Sequence, residues 1–146
     1  MEFSIIKKDE GKKLLVLGDN QTIKLSGKET GGQFTLIEQY DEPGVGIPSH
    51  IHYNEDEVFC VLEGTLKVTI NGQAQLVESG DVVFCPRGIS HSWEVVGNKP
   101  AKTLLTIIPA GLELMFEELS KLQNGFQEIT RVIEITDKYN IKFVIS

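Results

Sequence analysis

A mainly β fold, closed into a sandwich or barrel and finished by C-terminal helices, is what this sequence predicts. Three observations predict it. Turn signals recur about every 8–12 residues over the first hundred positions. The segments between them are short, and either alternate in hydropathy or are apolar throughout. Beyond residue 110 the apolar spacing lengthens from two residues to three or four, the period of a helix.

The elements follow in order. Gly18-Asp19-Asn20 separates residues 14–17 from 22–25 as a turn. Residues 28–32 read as a polar loop with two glycines, and 34–40 as the next strand. The loop 43–48 is stiffened by Pro43 and Pro48 and bent by Gly44 and Gly46. Asn71-Gly72 lies between "LKVTI" and "QAQLV", the strongest short-range hairpin signal. Ser79-Gly80-Asp81 and Gly97-Asn98-Lys99-Pro100 turn the chain again. In "GLELMFEELSKLQ", Leu112, Met115, Phe116, Leu119 and Leu122 fall on one helical face. A second helical stretch at about 129–139 carries Ile129, Val132, Ile133 and Tyr139, with charged residues opposite. "IKFVIS" reads as a closing edge strand.

Composition narrows the function classes. The chain has 146 residues, 40% hydrophobic and 24% charged, with a net charge of −7. That fits one domain over 1–146, with a barrel core at about 33–108 and a helical extension at about 111–139. The acidic balance argues against nucleic acid or an anionic membrane as partner. No apolar run reaches the ~20 residues of a membrane span. The start has no basic region followed by an apolar stretch, so no signal peptide is expected and the cytoplasm is the expected compartment. Cys60 and Cys85 each sit in an apolar run and are expected as small buried core residues. "VFCVL" (58–62) and "VVFC" (82–85) are apolar at every position, which predicts burial on both faces. Either the C-terminal helices or a second subunit must then cover the outer face. A homodimer is the expectation.

The chemistry gathers in "SHIHYNEDEVFCVLEG", residues 49–64, which holds two of the three histidines. On a strand, His50 and His52 project to the same side, roughly 6.5–7 Å apart. The polar stretch 53–56 can turn the chain so that Glu57 faces the same point. Pro86 and Gly88 can set a turn that brings His91 inward. Three imidazoles and one carboxylate make a mixed N/O site for a first-row divalent metal. Taken alone, His-x-His also fits two solvated surface histidines, and Glu55-Asp56-Glu57 an ordinary acidic loop. If Glu57 faces in, so do Phe59 and Val61; if His91 does, so do Trp93 and Val95. Phe59, Val61 and Trp93 are therefore candidate pocket residues, or plain core.

The spacing carries a family resemblance. Gly44, five residues, His50-x-His52, four residues, Glu57, six residues, Gly64 resembles the first cupin motif. Gly80, five residues, Pro86-x-Gly88, two residues, His91 resembles the second. Val95 stands where the family usually has an Asn that is not a metal ligand. The two motifs cover residues 44–95. The resemblance implies a double-stranded β-helix, or jelly-roll barrel, with one divalent transition metal per chain on His50, His52, Glu57 and His91. Fe, Mn, Ni, Co, Cu and Zn all suit such a ligand set. The flanks "LSGKETGGQFTLIE" and "GLELMFEEL" resemble bacterial single-domain cupins related to quercetinases. That implies a metal-dependent dioxygenase acting on an enolic or aromatic small molecule, with Glu57 as ligand or catalytic base. The alternatives are a sugar or sugar-phosphate isomerase or epimerase, which needs Arg or Lys in the pocket, and a non-catalytic metal-dependent binding module.

Overall fold

The computed structural model describes residues 2–144. Eleven strands and three α-helices are present among them. The strands are β1 (Lys12–Val16), β2 (Asp19–Leu25), β3 (Thr35–Asp41), β4 (Gly46–His52), β5 (Asp56–Glu63), β6 (Thr65–Ile70), β7 (Gln73–Glu78), β8 (Val82–Cys85), β9 (His91–Val96), β10 (Ala101–Ile108) and β11 (Ile141–Phe143). The helices are α1 (Gly27–Thr30), α2 (Leu112–Ser120) and α3 (Ile129–Lys138). The strands form two antiparallel sheets in the orders β1-β2-β3-β10-β5-β8 and β11-β4-β9-β6-β7. This is a jelly-roll barrel with C-terminal helices. β1, β2 and β11 lie outside residues 33–108 and are hydrogen-bonded into the two sheets.

Local chemistry explains most of the elements. Asn71 (φ 50°) and Gly72 (φ 80°) make a two-residue turn that matches the strand twist and fixes the β6–β7 register from Ile70↔Gln73 to Thr65↔Glu78. Ile37, Val61, Leu66, Val68, Leu105 and Ile107 alternate inward from both sheets and build one core. Leu112, Met115 and Leu119 add the buried face of α2 to it.

Four expectations are corrected. Asp19 and Asn20 belong to β2; the turn is made by Leu17 and Gly18, both at positive φ. Residues 28–32 are not all loop, because Ser26 and Glu29 form a reciprocal cap that starts α1. On α3 the buried residues are Val132, Ile135 and Thr136, while Ile129 and Ile133 are exposed. β5 and β8 alternate: Phe59, Val61, Val83 and Cys85 face in, whereas Val82 and Phe84 are 64% and 58% exposed and Cys60 is half-buried. α2 packs on β1 and α3 on β11, so the helices leave this outer face open. The closing strand is Ile141–Phe143; residues 145 and 146 lie outside the described residues.

Candidate metal centre

β4 must deliver two histidines to the interior, and Pro48 sets their phase. Proline has no N–H for the ladder and sits where a strand is irregular. The β4–β9 register shifts between Ile47 and His50. Past that shift His50 pairs directly with His91, and His52 pairs with Ile141 of β11. Gly46 allows the close approach of β4 to β9, since an added Cβ would run into the Trp93 carbonyl. The turn before β9 is held from both sides. Gly88 (φ 84°) donates its N–H to the His52 carbonyl at 2.8 Å, and the Arg87 N–H donates to Asp56 Oδ1 at 2.9 Å. Glu57 comes from the other sheet, paired with Ile107 of β10 and Cys85 of β8. The cluster therefore bridges the two sheets, three imidazoles from one and a carboxylate from the other.

All four side chains are buried, and one candidate ligand atom from each lies within 4.8 Å of the others. Atoms bound to one ion at about 2.1 Å stand at most about 4.2 Å apart, so a small contraction completes the set. His50 Nδ1 lies 2.8 Å from the Pro48 carbonyl, which can only accept; Nδ1 carries the hydrogen and Nε2 offers its lone pair. Burial, then the neighbouring His91 and His52, push the His50 imidazole down to about 3, keeping it neutral. Burial raises the Glu57 carboxyl, but the His52 and His91 imidazoles outweigh it and hold Glu57 well below its usual range. Glu57 Oε1 lies 2.6 Å from His52 Nε2 and 3.3 Å from His91 Nε2. Yet Oε1 makes no hydrogen bond in this arrangement. Three buried imidazoles converging on one buried carboxylate oxygen that has no hydrogen-bond partner are what a cation satisfies. These residues fit a metal ion.

Residues 38–108 match the cupin domain family. This segment is a cupin domain. The chain is 28% identical over 95 residues to quercetin 2,3-dioxygenase from Bacillus subtilis, covering 65% of this chain and 28% of that one. It is 34% identical over 67 residues to the tetracenomycin polyketide synthase protein TcmJ from Streptomyces glaucescens, covering 46% and 45%. The chain thus spans less than half the length of either curated relative. A solved structure of a predicted oxalate decarboxylase from Thermotoga maritima superposes with a TM-score of 0.67 at 24% identity, covering 73% of this chain and 99% of that one.

A cavity runs inward from the cupin's four-residue cluster, with about 80 Å³ of open space. That is well under the roughly 300 Å³ at which ligand pockets commonly begin; side chains fill most of the barrel. Phe59 and Trp93 line it, with Leu66, Val95 and Leu105. Val61 is fully buried on the same face of β5 but is not in the lining. Met115, Phe116 and Leu119 of α2 also border the cavity, so the C-terminal helix forms part of its wall. No lysine or arginine lines it among the described residues. Arg87 is exposed and paired with Asp56, and Lys67 is exposed.

Sequence reasoning missed two sets of residues here. Glu55, taken as a loop acid, is buried with Oε1 3.9 Å from His52 Nδ1. Asp19, Gln21, Gln39, Asp41 and Thr103 line the cavity away from the histidines. The signal for Asp19 and Gln21 was the run "DNQTIKL", where polar residues alternate in phase with the inward Ile23.

Proposed function

We propose that this cupin is a cytoplasmic, metal-dependent dioxygenase of quercetinase type. It acts on a small enolic or aromatic molecule, with one divalent transition metal per chain on His50, His52, Glu57 and His91. The observation that carries the reading is the buried three-histidine, one-glutamate cluster opening onto a cavity lined by Phe59 and Trp93. Sequence similarity to a quercetin 2,3-dioxygenase supports it. A bound ion of this class supplies Lewis acidity and one-electron chemistry toward dioxygen and an enolic oxygen. The chain's own groups do the rest. His50, His52 and His91 fix one face of the site, Phe59 and Trp93 flank a flat substrate, and the ionised Glu57 accepts the enolic proton. Both atoms of O₂ enter the products, so no external reductant is required. The small open volume favours a compact enol over a flavonol.

A sugar-phosphate isomerase is disfavoured by the cation-free lining. The narrowness of the cavity supports one further reading, a metal-dependent binding module without turnover. The reading includes a homodimer through the open outer face of β5 and β8, and one domain over 1–146.

Oxygen uptake separates these readings. The protein is loaded separately with Fe(II), Mn(II), Co(II), Ni(II) and Cu(II) and offered a panel running from small enols to flavonols. O₂ consumption coupled to loss of a small enol is expected, with Glu57→Gln slower by about a hundredfold. No uptake with any metal and any substrate contradicts the dioxygenase.

A further inference from the structure

Away from the metal cluster the cavity ends on five polar side chains: Asp19 and Gln21 of β2, Gln39 and Asp41 of β3, and Thr103 of β10. All five are buried. Gln39 and Thr103 are register partners. Thr103 lies four residues, roughly 13 Å, along β10 from Ile107, the partner of Glu57. The two polar ends therefore sit at opposite reaches of one cavity, separated by Phe59, Leu66 and Leu105.

The hydrogen bonds in this cluster leave it short of donors. Thr103 Oγ1 donates to Gln39 Oε1 at 2.8 Å, which aims the Gln39 amide nitrogen at Asp19 Oδ2, 2.7 Å away. Gln21 Nε2 donates to the same oxygen at 3.0 Å. The reverse amide orientation of Gln21 would set two oxygens against each other, so its Oε1 is free. Gln21 Oε1 and Asp19 Oδ1 are buried and have no hydrogen-bond partner. Asp41 accepts the backbone N–H of Asn20 on Oδ1 at 2.7 Å, and its carboxyl is within hydrogen-bonding reach of that of Asp19. Burial, then Asp41, hold the Asp19 carboxyl well above the usual range. Two buried carboxyls and an orphan amide oxygen, with no lining cation, leave acceptors that a cationic donor satisfies.

We propose that this end of the cavity is a recognition site for the protonated primary amine of a small ligand. An ammonium brings three donors and one positive charge. Those meet Gln21 Oε1, Asp19 Oδ1 and Asp41, and favour the ionised form of Asp19. A hydroxyl brings one donor and no charge, and leaves an acceptor unmet. From the proposed function the inference takes only that the cavity admits a small ligand; it needs no metal.

The test uses the chelator-treated 146-residue chain, so that its failure is distinct from failure of the metal reading. Trp93 is the single tryptophan and lines the cavity, so its fluorescence reports entry. The probes are n-propylamine and 1-propanol at pH 7 and matched ionic strength. Propylamine is expected to bind saturably, at least about tenfold tighter than propanol. Asp41→Asn keeps an oxygen for the Asn20 N–H and removes the charge; Asp19→Asn keeps an acceptor for the two amides. Each is expected to lower amine affinity by about tenfold or more while leaving propanol unchanged. Gln21→Met removes the orphan oxygen without leaving a buried group unpaired; it is expected to keep the fold and weaken amine binding severalfold. Equal binding of the two probes, no saturable amine binding, or an amine preference unchanged in all three variants overturns the proposal. Asn variants that only lower the melting temperature also overturn it, because the cluster is then structural.

Discussion

At His52 the two ring nitrogens face two carboxylates, Glu57 on the inner side and Glu55 on the outer. His52 Nδ1 and Glu55 Oε1 stand 3.9 Å apart, both buried and both without a hydrogen-bond partner. A small rotation pairs them, and a carboxylate on the far nitrogen fixes the tautomer and orientation of a ligating imidazole. Glu55→Gln is accordingly expected to weaken metal affinity by about tenfold or more without abolishing binding. Competition with a chelator measures this, and an unchanged affinity means that Glu55 only fills space. The four ligand candidates were legible in the sequence because their chemistry is rare here. All three histidines of the chain lie in two spaced motifs. Glu55 was not legible, because an acid beside two others looks like a solvated loop until burial is seen. Asp19 and Gln21 were hidden differently. The turn signal at Gly18 was read two residues too far, and inward polar residues contradict the pattern by which a strand is recognised.

Among the elements, α2 is tied down by one side chain. Glu113 is buried at its start and accepts from Thr35 Oγ1 at 2.6 Å, from the Gly27 N–H at 2.7 Å and from the Gly111 N–H at 2.7 Å. It thereby joins α1, β3 and the wall of the cavity. Burial raises its carboxyl, but these donors outweigh it and hold the group below its usual range. A lowered folded value means that the contribution is complete above the unfolded carboxyl range and is lost as pH falls through the folded value. Glu113→Ala leaves three donors unmet and is expected to cost about 3 kcal/mol near pH 7. Denaturant unfolding at pH 7 and at pH 3 checks it. The gap between wild type and variant should narrow at the lower pH, and an equal gap at both means the charge is immaterial. Helix existence was readable from the apolar period, but the buried face of α3 was not. Ile129 and Ile133 are apolar yet exposed, because β11 and α2 reach only the Val132 and Ile135 side.

Over the whole molecule, the two sheets meet at the cluster of His50, His52, Glu57 and His91, and the outer face of β5 and β8 is left open. The continuous runs "VFCVL" and "VVFC" predicted burial on both faces, and within the chain only the inner face is covered. β8 ends the six-stranded sheet, with Val82 and Phe84 exposed beside Val58 and Cys60. An apolar edge of this kind is stable in water when paired. Light scattering is expected to give twice the 16.2 kDa chain mass, and Phe84→Asp to return it to the single-chain value. A wild-type monomer contradicts the dimer.

The central claim is that one metal ion joins the sheets through His50, His52, Glu57 and His91. Calorimetric titration of Co(II) into chelator-stripped protein tests it most directly. The account predicts a saturating isotherm at about one ion per chain in the wild type, and its loss in a folded His52→Ala variant. No uptake by the wild type, or the same isotherm in the variant, contradicts it.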